Sequence, residues 1–154
     1  MSFRISGLPA EEFRHWFALD DAELTRRNAR RRVVDAAHAF PCRVSLTDAE
    51  PGQEVLLINY EHQPVASPFR ASHAIYIRAG EETFDAVDTV PDMLRRRLLS
   101  LRAFDAAGML VDADVCEGSD IETLIAHQFA NSETAYIHAH IARPGCYAAR
   151  IERA

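Results

Sequence analysis

The order of apolar and polar positions predicts one strand and two short helices in the N-terminal part of the chain. Phe3–Leu8 is the segment that predicts the short first strand. Pro9 then suits the first turn of a helix, because that turn leaves its amide hydrogens unpaired and proline has none. Asp20 and Asp21 suit the beginning of a second helix, which contains Leu24, because a side-chain oxygen at that position accepts hydrogen bonds from free amides.

From Pro41 onward the pattern changes to strands separated by turn-forming residues. The run Val55–Ile58 is apolar without a break, which is typical of a central strand covered on both faces. Two later pairs of strands are separated by short loops with glycine, and each pair predicts a hairpin. The predicted strands are Cys42–Leu46, Glu54–Tyr60, His73–Arg78, Leu101–Asp105, Met109–Cys116, Tyr136–Ala142 and Cys146–Ile151.

Two more helices are predicted between these strands. Pro91–Leu99 carries apolar residues at helical spacing, and Ser119 and Glu122 have the spacing of a capping box at the beginning of the other helix. The strands run in series and the helices do not alternate regularly with them, which argues against a doubly wound parallel sheet. We therefore predict an α+β fold, with an antiparallel or mixed sheet of about six or seven strands flanked by three or four helices.

The composition fits one globular domain. Of the 154 residues, 48% are hydrophobic and 26% charged, and these fractions argue against wholesale disorder. No apolar run reaches the roughly 20 residues that cross a bilayer. The segment Met1–Ile5 lacks the basic region followed by an apolar stretch that begins a signal peptide. We expect one soluble domain over residues 1–154, in the cytoplasm and without membrane contact.

The charge of the chain argues against nucleic acid as a partner. The net charge is −6, whereas nucleic-acid binding depends mainly on a cationic surface. All 17 basic residues are arginine, and the only strongly basic stretch, Arg26–Arg32, is predicted to be a solvated face or a contact for a partner. Cys42, Cys116 and Cys146 are odd in number and far apart. They do not form a disulfide framework, and we expect structural thiols.

The sharpest local feature is the segment Tyr136–Ile141. Alternate side chains of a strand lie on one face, so Tyr136, His138 and His140 are predicted to project together. Two imidazoles at this spacing can bind a divalent transition metal. Without a metal, they can supply a general base and an anion-binding donor. A pair with no functional role is the third interpretation. Of the two functional versions, we favour the one without a metal.

A metal needs a third ligand, and the register of the last hairpin decides whether Cys146 supplies it. A three-residue loop, Arg143–Gly145, pairs Ala142 with Cys146 and places Cys146 and Arg150 on the histidine face; a two-residue loop places them on the opposite face. We favour the longer loop, because Pro-Gly favours a type II turn, which matches strand twist poorly in two-residue hairpins. The predicted metal ligands are His138, His140 and Cys146, with Cys42, His62 and His73 as the other candidates for the third position.

Three further residues are candidates for binding a ligand. Arg43 is suited to an anion, but it does not necessarily lie near the Cys42 thiol, because adjacent strand residues point to opposite faces. Tyr60 and Arg102 lie at strand ends, where functional groups often collect. Packing or ion pairing is the competing interpretation for each. The predicted ligand-binding set is Arg43, Tyr60, Arg102, Tyr136, His138 and His140.

Several short segments together match the pattern of a known family. They are Pro41–Leu46, Leu56–Leu57 with Tyr60, Ser67–Phe69, Arg102–Asp105 with Gly108, and Tyr136, His138 and His140 with Gly145–Cys146. With these segments the chain resembles an uncharacterised bacterial family, domain of unknown function 1203, over nearly its whole length. The resemblance implies one intact domain of bacterial origin. It implies no activity, substrate or catalytic residue.

Two functional hypotheses follow from these features. The first is a small-molecule site, binding or enzymatic, around Tyr136, His138 and His140, with a small anionic molecule as the ligand. The alternative is a non-enzymatic interaction or accessory module, which contacts a partner or a second copy in a homodimer through Arg26–Arg32 or an exposed sheet edge. The sequence identifies no reaction and does not decide whether the protein is an enzyme.

Overall fold

The computed structural model describes the whole chain, Met1–Ala154, and contains eleven strands and three α-helices. The strands are β1 (Phe3–Ser6), β2 (Arg30–Val33), β3 (Pro41–Cys42), β4 (Thr47–Asp48), β5 (Glu54–Gln63), β6 (Ala71–Ile77), β7 (Asp85–Val87), β8 (Leu98–Phe104), β9 (Leu110–Glu117), β10 (Tyr136–Ile141) and β11 (Tyr147–Arg153). The α-helices are α1 (Asp21–Arg26), α2 (Asp92–Arg95) and α3 (Ile121–Ala130), and short 3-10 helices cover Ala10–Glu12, Arg14–Ala18 and Gly118–Asp120.

The strands form two sheets, so the α+β class is confirmed and the prediction of one sheet is corrected. The six-stranded sheet has the order β7-β1-β11-β10-β8-β9, and each of its strand pairs is antiparallel. The five-stranded sheet has the order β2-β5-β6-β3-β4 and is mixed, because β3 runs parallel to β6. The periodicity of a strand shows which side chains share a face, but it does not show which sheet the strand joins.

Two apolar clusters lie on different faces of these sheets. The first core joins alternate residues of β8, β10 and β11, such as Leu101, Ile137 and Ile151, to the buried faces of α2 and α3. The second core joins Ile58 of β5 and Ile75 of β6 to the N-terminal 3-10 segment and to Tyr147 of β11. The six-stranded sheet therefore has helices on one face and turns its other face, at β10 and β11, toward the five-stranded sheet. No helix combines the length and apolar character needed to cross a lipid bilayer.

The predicted strand Cys42–Leu46 is wrong beyond its first residue. β3 ends at Cys42, and residues 43–46 form a turn in which Leu46 has a φ of 51°. Val44 packs in the second core and Leu46 in the first core. The apolar positions that resembled a strand are therefore those of a turn that passes between the two cores.

Three predicted helices differ from the observed ones. The helix predicted from Pro9 consists of the two 3-10 segments Ala10–Glu12 and Arg14–Ala18. The helix over Pro91–Leu99 ends at Arg95, because Leu98 and Leu99 join β8 and pair with β9. The predicted capping box does not form: the 3-10 segment Gly118–Asp120 precedes α3, and no side chain caps that helix. The Glu122 carboxylate forms an ion pair with Arg95 instead of folding back onto the helix N-terminus. By contrast, Asp20 caps α1 through the Glu23 amide, as predicted.

The last hairpin has neither of the predicted loop registers. The Ile141 amide donates to the carbonyl of Cys146, so four residues form the loop, and the predicted pairing of Ala142 with Cys146 is wrong. A β-bulge follows: Ala139 lies opposite Ala149, whereas His140 lies opposite Tyr147. The extra residue lies in β11. Beyond it, the strands pair as the three-residue loop predicts, with His138 opposite Arg150. Arg150 is therefore on the histidine face, as predicted.

Candidate functional site

His138 and His140 lie on the face of β10 that is turned toward the five-stranded sheet. Their side chains are 1% and 6% exposed, whereas the intervening Ala139 and the flanking Ile137 pack in the first core. The predicted alternation along β10 is thus confirmed. The strand holds two imidazoles side by side in the interior of the protein, with the ring of Tyr136 next to His138.

Two more histidines reach this place from the five-stranded sheet. His62, near the end of β5, has its ring centre 5.7 Å from that of His138 and 5.3 Å from that of His140. His73, on the adjacent β6, stacks on His62 at 4.7 Å and meets His140 edge to face at 5.2 Å. The four rings therefore form one cluster between the two sheets, the histidine cluster.

Three members of the histidine cluster can converge on one atom. His62, His138 and His140 each offer a ring nitrogen, and these nitrogens lie within 4.8 Å of one another. Each of the three residues also has a buried ring nitrogen without a hydrogen-bond partner: Nδ1 of His62, Nδ1 of His138 and Nε2 of His140. Buried polar atoms are nearly always satisfied in folded proteins, so three unsatisfied ones in a single cluster indicate a ligand.

In His62 and His140, the second ring nitrogen has a hydrogen-bond partner, which fixes the orientation of the ring. Nδ1 of His140 lies 3.0 Å from the carbonyl oxygen of Gly145. A carbonyl only accepts, so Nδ1 carries the hydrogen and Nε2 has a free lone pair. Nε2 of His62 lies 2.6 Å from Nδ1 of His73. A hydrogen bond to the ring nitrogen that does not bind the metal is typical of metal-binding histidines.

The histidine cluster is uncharged at neutral pH. Burial lowers the pKa of His138 to about 2 and that of His140 to about 4. For His62, burial together with the neighbouring His140 and His73 lowers the pKa to about 3. A neutral imidazole keeps the lone pair that a metal or a proton donor requires.

Aromatic and amide groups hold the cluster in position. Tyr147 stacks on His62 with ring centres 4.7 Å apart, and the side-chain amide of Gln63 donates to the Tyr136 hydroxyl at 2.8 Å. Arg150 lies over the Tyr136 ring at 4.0 Å. Tyr136 is therefore held by packing and by a hydrogen bond, and its ring lies beside His138.

Arg102, like Arg150, is a charged residue on the face that carries the cluster. It lies directly opposite His138 across β8 and β10 and is half-buried. Its guanidinium contacts the face of Phe104 at 5.8 Å, and no carboxylate forms an ion pair with it. A guanidinium in this position is free to bind an anion beside the histidines.

Cys146 lies apart from the three converging imidazoles. Its Sγ accepts from Nη2 of Arg43 at 2.8 Å, and it is His62 that joins His138 and His140. The four-residue loop and the bulge at Ala139 cause this, because they shift the register between β10 and Cys146. Of the predicted set, the structure brings His138 and His140 together, and His62 rather than Cys146 lies close to both.

Arg43 and Tyr60 also have contacts outside the histidine cluster. Arg43 is 1% exposed and donates to the carbonyl oxygens of Tyr147 and Pro41. The Tyr60 ring packs on Phe13 at 5.3 Å, and its hydroxyl donates weakly to Glu12 at 3.4 Å. The structure therefore gives these two side chains partners other than the four imidazoles.

The two remaining sequence features have structural explanations. Within Arg26–Arg32, two arginines pair with Glu23 and Arg31 pairs with both Asp21 and Glu54. Cys42 is fully buried, and burial raises the pKa of its thiol to about 12. Such a thiol is inert as a nucleophile.

Comparison with known proteins identifies the family. A family model described as "Protein of unknown function (DUF1203)" matches residues 39–153, which include all four strands that carry the histidine cluster and its frame. The chain belongs to this family. Neither a curated protein nor a solved structure shows a significant match to it.

Proposed function

We propose that this DUF1203 protein binds one divalent transition-metal ion through His62, His138 and His140. One observation carries the proposal: three histidine nitrogens lie within 4.8 Å of one another, and each of these residues has a buried nitrogen without a partner. Imidazole nitrogen is a preferred ligand of zinc, copper, iron and nickel.

A metal ion satisfies this arrangement better than a water molecule does. Water has only two hydrogens and can donate to only two lone pairs, whereas a metal accepts three at once. Burial also favours the neutral form of each imidazole, which is the form that binds a metal. The carbonyl of Gly145 beside His140 and the ring of His73 beside His62 supply the outer hydrogen bonds that orient such ligands.

The ligand set supports a site that also takes a small molecule. Zinc sites that are purely structural usually have four protein ligands, whereas sites with three protein ligands keep a position for water or a substrate. Arg102, which faces His138 and has no carboxylate partner, is suited to hold an anionic group near the ion. We therefore propose a metal-assisted site for a small anionic molecule, with Tyr136 and Arg150 as part of its wall.

Metal content tests the proposal directly. The protein is purified without an affinity tag, stripped with a chelator and dialysed against zinc or cobalt. We expect elemental analysis to give about one ion per chain. The cobalt form should show the intense visible absorption of a tetrahedral site. Absence of stoichiometric metal after supplementation with zinc, cobalt, nickel, copper and iron would contradict the proposal.

Two variants and one control locate the ion. His62→Ala removes a half-buried ligand and is expected to reduce stoichiometric binding to background, and His140→Ala is expected to do the same. His127→Ala is the matched control, because His127 is exposed on α3 and lies outside the cluster. Circular dichroism of each chelator-treated variant separates loss of a ligand from loss of the fold. Full metal content in a folded His62→Ala protein would exclude this ligand set.

We also propose a cytoplasmic location, which the state of the cysteines supports. Cys42, Cys116 and Cys146 are all free thiols, and free thiols persist in a reducing compartment. Fractionation of cells that express the protein tests this, with the soluble cytoplasmic fraction as the expected place.

A further inference from the structure

A cavity with a different chemistry lies next to the histidine cluster. Its volume is about 640 Å³. It opens between β6, the segment before β8 and the turn that joins β10 to β11. His73 forms part of its wall and is hydrogen-bonded to His62. The His73 ring therefore belongs both to the histidine cluster and to the cavity wall. None of the three proposed metal ligands lines this cavity.

The cavity wall carries more positive than negative charge. Its wall contains four arginines and a single carboxylate, although the chain as a whole has a net charge of −6. In an acidic protein, such a local reversal attracts anions toward one opening. The charged lining residues are Arg43, Arg96, Arg97, Arg143 and Glu117.

Two of these arginines already have acidic partners. Arg96 contacts Asp92 at 2.5 Å, and Arg97 contacts the nearly buried Asp48 at 2.6 Å. Their charges are largely balanced within the protein. The excess therefore comes from the other two arginines.

Arg43 and Arg143 have no acidic partner. Arg43 is almost fully buried, and its guanidinium donates to two backbone carbonyls and to the sulfur of Cys146. A buried charge without an opposite charge is costly, so this position favours an anion nearby. Arg143 is exposed on the turn at the edge of the cavity and forms no ion pair, so its donors are free.

Apolar side chains make up much of the remaining wall. Leu57, Tyr76, Ile141 and Pro144 line it, and these side chains suit the hydrocarbon or aromatic part of a small molecule. An inorganic ion alone would not contact this apolar surface. The wall therefore fits a molecule with one charged end and one apolar end.

We propose that this cavity binds a small organic anion, with a carboxylate or phosphate group held near Arg143 and in the field of Arg43, and an apolar group against Tyr76 and Ile141. The guanidinium group matches both carboxylate and phosphate, so the shared chemistry is that of an oxyanion. This inference does not depend on the metal site, because the cavity and its charges are present without an ion.

Titration by nuclear magnetic resonance, with excess EDTA to keep metal out, tests this inference. The probes are phenyl phosphate and benzoate as aromatic anions, and benzamidine as a cation of similar size. We expect saturable shifts of the Ala74 amide and of the amides of residues 141–143, 145 and 146 with at least one anion, and none with benzamidine. If neither anion gives saturable shifts at millimolar concentration, or if benzamidine shifts the same amides equally, the inference is wrong.

A pair of variants separates specific binding from the effect of net charge. Arg143→Gln is expected to weaken binding of the better anion about tenfold, because it removes a charge-assisted hydrogen bond. Arg32→Gln makes the same charge change at an exposed residue outside the cavity and is expected to leave the affinity unchanged. Equal affinities for the two variants would overturn the assignment. Because metal is excluded, failure here and failure of the metal proposal remain distinguishable.

Discussion

Nε2 of His62 and Nδ1 of His73 lie 2.6 Å apart. This contact joins the three converging imidazoles to the wall of the arginine-lined cavity, since His73 lines that cavity. If the metal binds the unpartnered Nδ1 of His62, Nε2 of the same neutral ring carries the hydrogen and donates to His73. His73 then acts as a positioning residue, which holds the orientation and tautomer of a metal ligand without touching the ion.

Substitution of His73 tests this role. His73→Ala is expected to keep about one metal ion per chain but to weaken its affinity about 10- to 100-fold, the usual effect of removing a hydrogen bond to a ligand. His73→Asn is expected to restore much of the loss, because its amide oxygen can occupy the place of Nδ1. Competition with a chromophoric chelator measures the affinities. Unchanged affinity in His73→Ala would assign His73 a purely structural role.

The face of β10 could be read from sequence because it depends only on local geometry. Strand periodicity places His138 and His140 together whatever the strand packs against. The structure confirms it, because both rings meet His62 whereas Ile137 and Ala139 pack in the first core. The same periodicity places Tyr60 and His62 on one face of β5, the face that packs in the second core.

The third residue near His138 and His140 does not follow from the sequence, because it depends on contacts between sheets. The sequence offers four candidates, and His62 reaches His138 only because the five-stranded sheet packs against β10 and β11. The pattern favours Cys146, since a regular hairpin would place it on the histidine face. The bulge between β10 and β11 changes that register, and no residue type in the turn signals an inserted residue farther along the strand.

The carbonyl of Gly145 beside His140 gives a second prediction. Gly145 has a φ of 81°, a conformation that strains any residue with a Cβ, and a Cβ there would meet no neighbouring atom. Gly145→Ala is expected to lower the free energy of unfolding by about 1 kcal/mol and also to weaken metal binding, as the carbonyl moves away from His140 Nδ1.

Gly80→Ala is the matched control for this variant. Gly80 has a φ of 76° and equally open surroundings, but it lies in the loop after β6, away from His140. We expect the same loss of stability by urea denaturation and an unchanged metal affinity. A parallel fall in affinity in both variants would show that strain alone, and not the Gly145 carbonyl, is responsible.

Acid is expected to destabilise the metal-free protein from about pH 6.5 downward, the usual pKa of an unfolded histidine. Burial lowers the pKa of His138 to about 2 in the fold, so between these values the unfolded chain binds a proton that the folded chain does not. The free energy of unfolding therefore falls as the pH falls, by about 2 kcal/mol at pH 5 for one histidine that stays neutral.

Urea unfolding in EDTA at several pH values measures this effect. His138→Phe keeps an aromatic ring but removes the titrating group, so its stability is expected to depend less steeply on pH than that of the unchanged protein. The comparison uses slopes, and a change in overall stability does not affect it. Identical slopes for the two proteins would refute the assigned role of His138 in this acid sensitivity.

We propose that residues 1–154 fold as one domain, and the position of the second core supports this. Tyr147 of the six-stranded sheet packs there with Ile58 and Ile75 of the five-stranded sheet, so neither sheet completes its core alone. Fluorescence of Trp16, the single tryptophan, and far-ultraviolet circular dichroism should give coincident urea transitions. Two separated transitions would show that the sheets unfold independently.

Arg43 is expected to be the most sensitive arginine of the chain. Its guanidinium bonds to the carbonyls of Pro41 and Tyr147 and to Cys146, and it thereby ties the turn after β3 to the beginning of β11. Arg43→Met keeps much of the length and apolar volume but leaves two buried carbonyls without donors, so we expect a loss of about 3 kcal/mol. Arg43→Lys should not restore stability, because an ammonium group lacks the planar fork that reaches three acceptors.

Arg32→Met, at an exposed position, should change stability by less than about 0.5 kcal/mol. Urea denaturation of the three variants decides the matter: if Arg43→Met is as stable as Arg32→Met, the bonds of Arg43 do not stabilise the fold.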